Sequence, residues 1–414
     1  MITNPEQLGQ IINDELNQVE ITDVHTHLFS ANFGSMLLWG IDEVLTYHYL
    51  IAEFFRYSRL DYGEFFSLPK TEQADLVWQT LFLDRSPVSE AQRGALTILN
   101  RLGLDVKSRD LDEYREYYRS RTIEQQIDTV FDLAGIKEVV MTNDPFDPQE
   151  REIWKSGAGN QDPRFKAALR IDPLLMDYEN SYKVLQGEGY EVDAHLGGNS
   201  LQEIRRFIRD WVLRMDALYL AVSLPPDFNL SQDSTRTRIT EECVLPVCRE
   251  LDIPFAPMIG VNRLVNKRLG FAGDSLGKAD VRVIEYLCTN YPENKFLVTM
   301  LSRENQHELA ITARKYGNLM VFGCWWFLNN PTIVREITSI RMETLGLSFI
   351  PQHSDARVLE HLIYKWEHSK SIIGQVLEAK YTDLLATGWG LTRESVSQDV
   401  QALFSTNFEN FLRS

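Results

Sequence analysis

Apolar residues recur along the chain in two rhythms. Short runs rich in β-branched and aromatic residues alternate with longer stretches whose apolar positions fall three and four apart. The short runs are ITDVHTHL (21–28), KEVVMTN (137–143), FKAALRI (165–171), LYLAVSL (218–224), IPFAPMIG (253–260), KFLVTML (295–301), LMVFGCWW (319–326) and LSFIPQH (347–353). Most are continuously apolar, as parallel strands covered on both faces are. Between them, SLQEIRRFIRDWVLRM (200–215) predicts a helix. Its Ile204, Phe207, Ile208, Trp211, Val212 and Met215 form one stripe, and Ser200 and Glu203 stand in capping-box spacing. HELAITARKYGN (307–318) predicts a second helix, and residues 238–251 a third, which Pro246 is expected to kink or shorten.

Eight such strands alternating with helices predict the α/β class and a distorted (β/α)8 barrel, a TIM barrel, in a single domain over 1–414. The gap between the first and second strands is too long for one crossover helix, so residues 30–136 are expected to be a mostly helical insertion. Residues 358–414 are expected to be C-terminal helices. A doubly wound open sheet is the alternative, but it usually carries a Gly-rich phosphate turn after its first strand, and THLFSANFGS is not that turn.

Composition narrows the partners. The 414 residues are 44% hydrophobic and 24% charged, the profile of a globular protein with a sizeable core. The formal charge is −17, which repels nucleic acid and anionic membranes in the absence of a basic patch. RRFIRD (205–210) reads as the wet face of a helix rather than such a patch. Cys243, Cys248, Cys288 and Cys324 form no CxxC pair, no apolar run is long enough for a membrane span, and the opening residues lack a secretory pattern. A reducing cytoplasm is therefore expected.

In a barrel the site lies at the C-terminal ends of the strands. The first strand end offers His25 and His27. In an extended strand alternate residues share a face, so Asp23, His25 and His27 are expected to point one way. Two imidazoles this close can chelate a metal or can be hydrogen-bonded in a polar barrel mouth. With the Asp355 carboxylate from the eighth strand end they make a three-ligand site for zinc or another divalent ion, with open positions left. Arg170 and Arg357 can each hold a carboxylate by two parallel hydrogen bonds. They can equally be ion-paired, Arg170 with Asp172 and Arg357 with Asp355. His48 and Tyr49 lie in a stretch whose pattern predicts a helix, DEVLTYHYLIAEFFRYSR, and Trp325 and Trp326 follow the seventh strand. Both groups read as core or as substrate contacts. The polar clusters MTNDPFD (141–147) and TMLSRENQHEL (299–309) suit the barrel mouth. GxSxG, Walker-A, HExxH and GxGxxG motifs are missing from any suitable setting.

DVHTHL, YHYL, TNDPFD, LRIDP, LSRENQHEL, GCWWFLNNP and HSDAR, in that order, make the chain resemble the uronate isomerases of the amidohydrolase superfamily, in their divergent bacterial branch. The resemblance runs from about residue 20 to 370. It implies an aldose–ketose isomerase of hexuronate catabolism, taking D-glucuronate to D-fructuronate and D-galacturonate to D-tagaturonate, cytoplasmic and homo-oligomeric. It implies that His25, His27 and Asp355 hold one divalent metal, zinc for preference. Asp355 would also be the general base, with Arg357 and Tyr49 assisting, while His48, Tyr49, Arg170, Arg357 and Trp325 would contact the hexuronate. There is a departure: Met258 stands where many members have a fifth-strand histidine, and the sixth strand ends VTMLSR without the superfamily histidine, so a second metal is not expected. The rival readings are a metal-dependent lactonase or amidase of the same superfamily, and a non-catalytic sugar-acid binder.

Overall fold

The computed structural model describes residue 2, residues 5–231 and residues 234–414. Its sheet strands are β1 (Ile21–Thr26), β2 (Ile136–Asn143), β3 (Phe165–Arg170), β4 (Ala217–Leu224) and β5 (Phe255–Ile259). Then come a two-residue antiparallel pair, β6 (Val261–Asn262) with β7 (Ser275–Leu276), and two further sheet strands, β8 (Phe296–Met300) and β9 (Leu319–Val321). Seven of them form one all-parallel sheet in the order β1-β2-β3-β4-β5-β8-β9. The seven follow the predicted apolar runs. Side chains alternate between two apolar faces: Val24, Val140, Ala168, Tyr219, Ala221, Ala256, Met258, Leu297 and Phe322 pack into one cluster. Val139, Met141, Leu220, Val222, Phe296 and Val298 turn to the other, against the helices.

The eighth predicted strand, 347–353, is corrected to a single bridge, Phe322 with Ile350. The Ile350 N–H donates to Val321 O (3.0 Å) and Ile350 O accepts from Gly323 N–H (2.8 Å). The ladder stops there: Gly323 has a φ of +67°, and its carbonyl accepts from Arg341 Nη1 at 2.8 Å. The Gln352 side-chain oxygen accepts from Cys324 N–H at 3.0 Å. A few residues later the segment reaches the other edge of the sheet: Asp355 N–H donates to His25 O (3.1 Å) and His27 N–H to Ala356 O (2.7 Å). Irregular chain, not a strand, thus stands between β9 and β1.

Between β1 and β2 lie seven α-helices, from Ile41–Leu45 to Ile123–Ala134. The last has a capping box of Thr122 with Gln125 and ends on Gly135, whose φ of +72° is the left-handed stop a glycine supplies. The predicted helix Ser200–Met215 forms with its whole stripe buried. Its cap differs from expectation. Ser200 is already helical and its hydroxyl accepts from Asp193 N–H (2.9 Å), while Glu203 accepts from Glu191 N–H. Pro246 acts as expected, since a π-turn over Thr240–Val244 absorbs the disruption just before it.

The C-terminal chain forms helices at His361–Ala386, Arg393–Gln401 and Asn407–Arg413. The last closes the N-terminal end of the sheet. Phe408 and Phe411 enter the same cluster as Val24 and Tyr219, and Asn407 Nδ2 donates to Leu347 O and Phe349 O. Lys295 Nζ, just before β8, donates to Leu412 O at 2.7 Å. No described helix is long and apolar enough to cross a membrane. Phe408 is only 2% exposed, so Phe408→Ala is expected to cost about 3–5 kcal/mol of unfolding free energy, read by denaturant titration. A cost below about 1 kcal/mol would show that the last helix does not close the core.

Candidate active site

His25 ends up buried on β1, and His27 follows just past its end. Their Nε2 atoms lie 3.7 and 3.4 Å from Asp355 Oδ1, and the two rings meet edge-on at 5.4 Å. These are the only His, Cys, Asp or Glu side chains among the described residues whose ligand atoms gather closely enough to hold a metal ion, all within 4.8 Å of one another.

The hydrogen bonds behind the rings decide the tautomers. Tyr219 OH donates to Val24 O (2.7 Å), so its oxygen accepts from His25 Nδ1–H at 3.1 Å. Thr142 Oγ1 donates to Thr26 O (2.9 Å), so it accepts from His27 Nδ1–H, also at 2.9 Å. Each hydroxyl has one proton and spends it on a backbone carbonyl. Both Nε2 atoms are left as bare lone pairs aimed at a carboxylate oxygen that is buried and has no hydrogen-bond partner. Burial keeps both rings neutral: it pulls His25 down to about 3, with His27 adding to the effect, and His27 well below the ordinary imidazole value. Two imidazole lone pairs and an unpaired carboxylate oxygen converging in this way could hold a divalent cation.

Asp23 departs from expectation. Its oxygens accept from Ser354 N–H (3.0 Å) and Trp366 Nε1–H (2.8 Å), and burial raises it to about 6. It supports the site from behind rather than joining the group. Asp355 itself has a φ of +51°, a left-handed conformation that costs a non-glycine residue about 1–3 kcal/mol. His353 packs against the rings of His25 (5.3 Å) and Phe322 (5.0 Å), and neither of its nitrogens has a partner. Gly323 makes room for it, because a Cβ there would lie 1.8 Å from His353 Nδ1.

A cleft of about 880 Å³ opens over the group, lined by His27, His48, Arg170, Trp325, Asp355 and Arg357 among others. Arg170, at the end of β3, is ion-paired with Asp172 through Nη2 at 2.9 Å. The other candidate pair, Arg357 with Asp355, does not form. Arg357 has no salt bridge among the described residues, and its guanidinium lies 5.8 Å over the Phe271 ring. The expected helix over His48 and Tyr49 is broken in two, Ile41–Leu45 and His48–Phe54, with Tyr47 as the cap between. Trp326 Nε1–H donates to His48 Nε2 (3.1 Å), and indole nitrogen can only donate, so His48 carries its proton on Nδ1. Burial, then the charge of Arg357, lowers His48 to about 3 and keeps it neutral.

Tyr49 is not brought to this cleft. It lines an adjoining space of about 230 Å³ with His48 and Trp326, and its buried hydroxyl has no partner. Tyr47 faces the cleft instead. Tyr219, Thr142, Tyr47 and Lys365 were not singled out from the sequence. Thr142 lies in the MTNDPFD cluster and so had a signal, whereas Tyr219 reads as one more apolar strand residue. Met258 is buried inside the sheet beside Ser223 and Thr299 and offers no ligand nitrogen.

The chain superposes on a uronate isomerase from Bacillus halodurans with a TM-score of 0.98 and 55% sequence identity, covering 100% of this chain and 98% of that one. A uronate isomerase from Thermotoga maritima (TM-score 0.79, 13% identity, 100% of each chain) has the same fold. So does a glucuronate isomerase from Caulobacter crescentus (TM-score 0.77, 15% identity, 99% of this chain and 94% of that one). No family model and no curated protein matches the chain.

Tyr219→Phe removes the hydroxyl that accepts the His25 Nδ1 proton. Zinc affinity measured by chelator competition is expected to fall about 10–100-fold, with the fold intact by circular dichroism. Unchanged affinity would overturn the tautomer assignment.

Proposed function

The chain belongs to the uronate isomerase family and is an isomerase, and on that premise we propose that it interconverts D-glucuronate with D-fructuronate and D-galacturonate with D-tagaturonate in hexuronate catabolism. The observation that carries this reading is the meeting of Asp355 with the His25–His27 pair in a cleft walled by Arg170 and Arg357. In a chain of formal charge −17, a guanidinium without a carboxylate partner in a cleft is suited to an anionic substrate.

The metal in this reading is one divalent ion, zinc for preference, held by His25, His27 and Asp355; when bound it supplies Lewis-acid polarisation of the substrate's oxygens. The chain's own groups do the rest. Arg170 keeps guanidinium N–H groups beyond the one spent on Asp172, and with His48 Nδ1–H it holds the C6 carboxylate. Asp355 takes the C2 proton of the open-chain aldose, leaving a cis-enediol. Arg357 faces the negative charge developing on the oxygens. The proton returns at C1 while a hydroxyl proton passes from O2 to O1, so nothing is gained or lost. Asp355 lines the cleft and Tyr49 does not, which favours Asp355 for the return. Trp325, 3% exposed, forms part of the cleft wall against the sugar.

The fold reading that accompanies this function is a distorted barrel over 1–414, with 30–136 a mostly helical insertion and 358–414 a helical tail. The irregular segment between β9 and β1 supports it. The four cysteines are buried and free, which supports a reducing cytoplasm.

Purified protein incubated with both uronates, with and without chelator, is expected to form the ketose acids by NMR. In deuterated water the ketose should carry deuterium at C1; a product free of solvent deuterium would replace proton transfer by a hydride shift. Asp355→Asn is expected to lower kcat by about 10²–10⁴-fold. Because His48 donates as a neutral imidazole down to about pH 3, KM should show no imidazole ionisation between pH 5.5 and 7.5. A break near 6.5 that His48→Gln abolishes would refute its assigned state.

A further inference from the structure

Asp355 keeps its left-handed backbone because neighbouring groups hold the peptide planes on either side of it. The peptide between Ser354 and Asp355 is gripped at both ends. Its N–H donates to His25 O at 3.1 Å, and its C=O accepts from Lys365 Nζ at 2.6 Å. The next peptide is held through Ala356 N–H, which donates to Ser354 Oγ at 3.1 Å. The preceding one is held through Ser354 N–H, which donates to Asp23 Oδ1 at 3.0 Å. Asp23 is in turn fixed by Trp366 Nε1–H at 2.8 Å, and Trp366 is the residue after Lys365 on the helix His361–Ala386. One turn of one helix therefore holds the backbone on both sides of Ser354.

Lys365 is an unusual choice if packing were its only role. It is 2% exposed, forms no salt bridge among the described residues, and its ammonium donates to that single carbonyl. A buried charge with one neutral partner is costly, and a methionine would fill the same space without the cost. The ammonium also lies 5.7 Å over the ring of Tyr49 and is close enough for its charge to interact with the Asp355 and Asp23 carboxylates.

We propose that Lys365, with Asp23, is a positioning residue for the isomerisation: it fixes the Ser354–Asp355 peptide plane, and so aims the Asp355 carboxylate at His25 Nε2, His27 Nε2 and the substrate in the cleft. This rests on the function proposed above. Rotation about the Asp355 N–Cα bond swings its carboxylate relative to a peptide plane that Lys365 and His25 hold still. Without the ammonium, Asp355 is free to relax to the ordinary right-handed or extended region, which carries the carboxylate away from the imidazoles.

The test compares wild type, Lys365→Met, Lys365→Gln and Lys365→Arg for folding, Co²⁺ binding by its visible absorption, and kinetics on glucuronate and galacturonate. Lys365→Met is expected to stay folded, to bind Co²⁺ at least tenfold more weakly with an altered spectrum, and to lose at least tenfold in kcat with KM within threefold. Lys365→Arg, which restores charge and donors, is expected to recover most of both. Should the methionine variant not fold, Lys365→Gln, which keeps one donor, carries the same comparison. A folded Lys365→Met or Lys365→Gln with Co²⁺ spectrum, affinity and kcat within twofold of wild type overturns the proposal. So does a loss that the arginine variant does not repair. A wild-type protein inactive on both uronates sinks the proposed function instead, and the Co²⁺ comparison still decides the role of Lys365.

Discussion

Everything chemical in this protein depends on two backbone hydrogen bonds, Asp355 N–H to His25 O and His27 N–H to Ala356 O. They join a segment near residue 20 to one more than three hundred residues later, and no regular strand does the joining. A β-ladder would have placed Asp355 by default. Here the ladder ends after Ile350, and position is restored piece by piece through Gln352, Asp23, Lys365 and Ser354. The strained φ of Asp355 is the mark of that arrangement: a conformation the residue would not choose, kept because its neighbours leave no alternative.

The imidazoles are prepared with the same economy. A neutral histidine has one donor and one acceptor nitrogen, and the outward partner decides which is which. Tyr219 and Thr142 have each given their proton to a carbonyl of β1, so both must take one from a ring. The result is two lone pairs facing one carboxylate oxygen in a place from which burial has removed competing protons. Trp326 does the reverse for His48, taking its lone pair and leaving a donor. Three aromatic or hydroxyl side chains thus turn three chemically identical residues into two that present bare Nε2 lone pairs and one hydrogen-bond donor.

The cleft joins this centre to cationic groups in an otherwise acidic chain. Arg170 is half-committed to Asp172, whereas Arg357 has only the face of Phe271. Both line the cleft, and neither is drawn off by the Asp355 carboxylate. A close Arg357–Asp355 pair would have occupied the very oxygens the centre needs. Its absence is as informative as the convergence itself.

Much of this was legible along the chain. Continuous apolar runs located seven strands because a parallel sheet buried on both faces leaves no polar alternation to confuse them. HTH at the end of the first run, and the Asp and Arg after the last, marked His25, His27, Asp355 and Arg357 as residues of one mouth, since strand ends of such a sheet share one side. What the sequence could not hold was any relation set by distance in space. It could not say that Arg170 pairs with Asp172 while Arg357 stays unpaired, or that Tyr47 rather than Tyr49 faces the cleft. Nor could it say that Asp23 serves Ser354 and Trp366 instead of a metal. It mistook 347–353 for a strand because the run itself is apolar, while the turn at Gly323 where the ladder stops lies in another segment. Local pattern follows from residue spacing, and spacing is written in the chain; the tautomer of a histidine or the grip of Lys365 on one carbonyl depends on which atoms folding brings within 3 Å, and only the tertiary structure decides that.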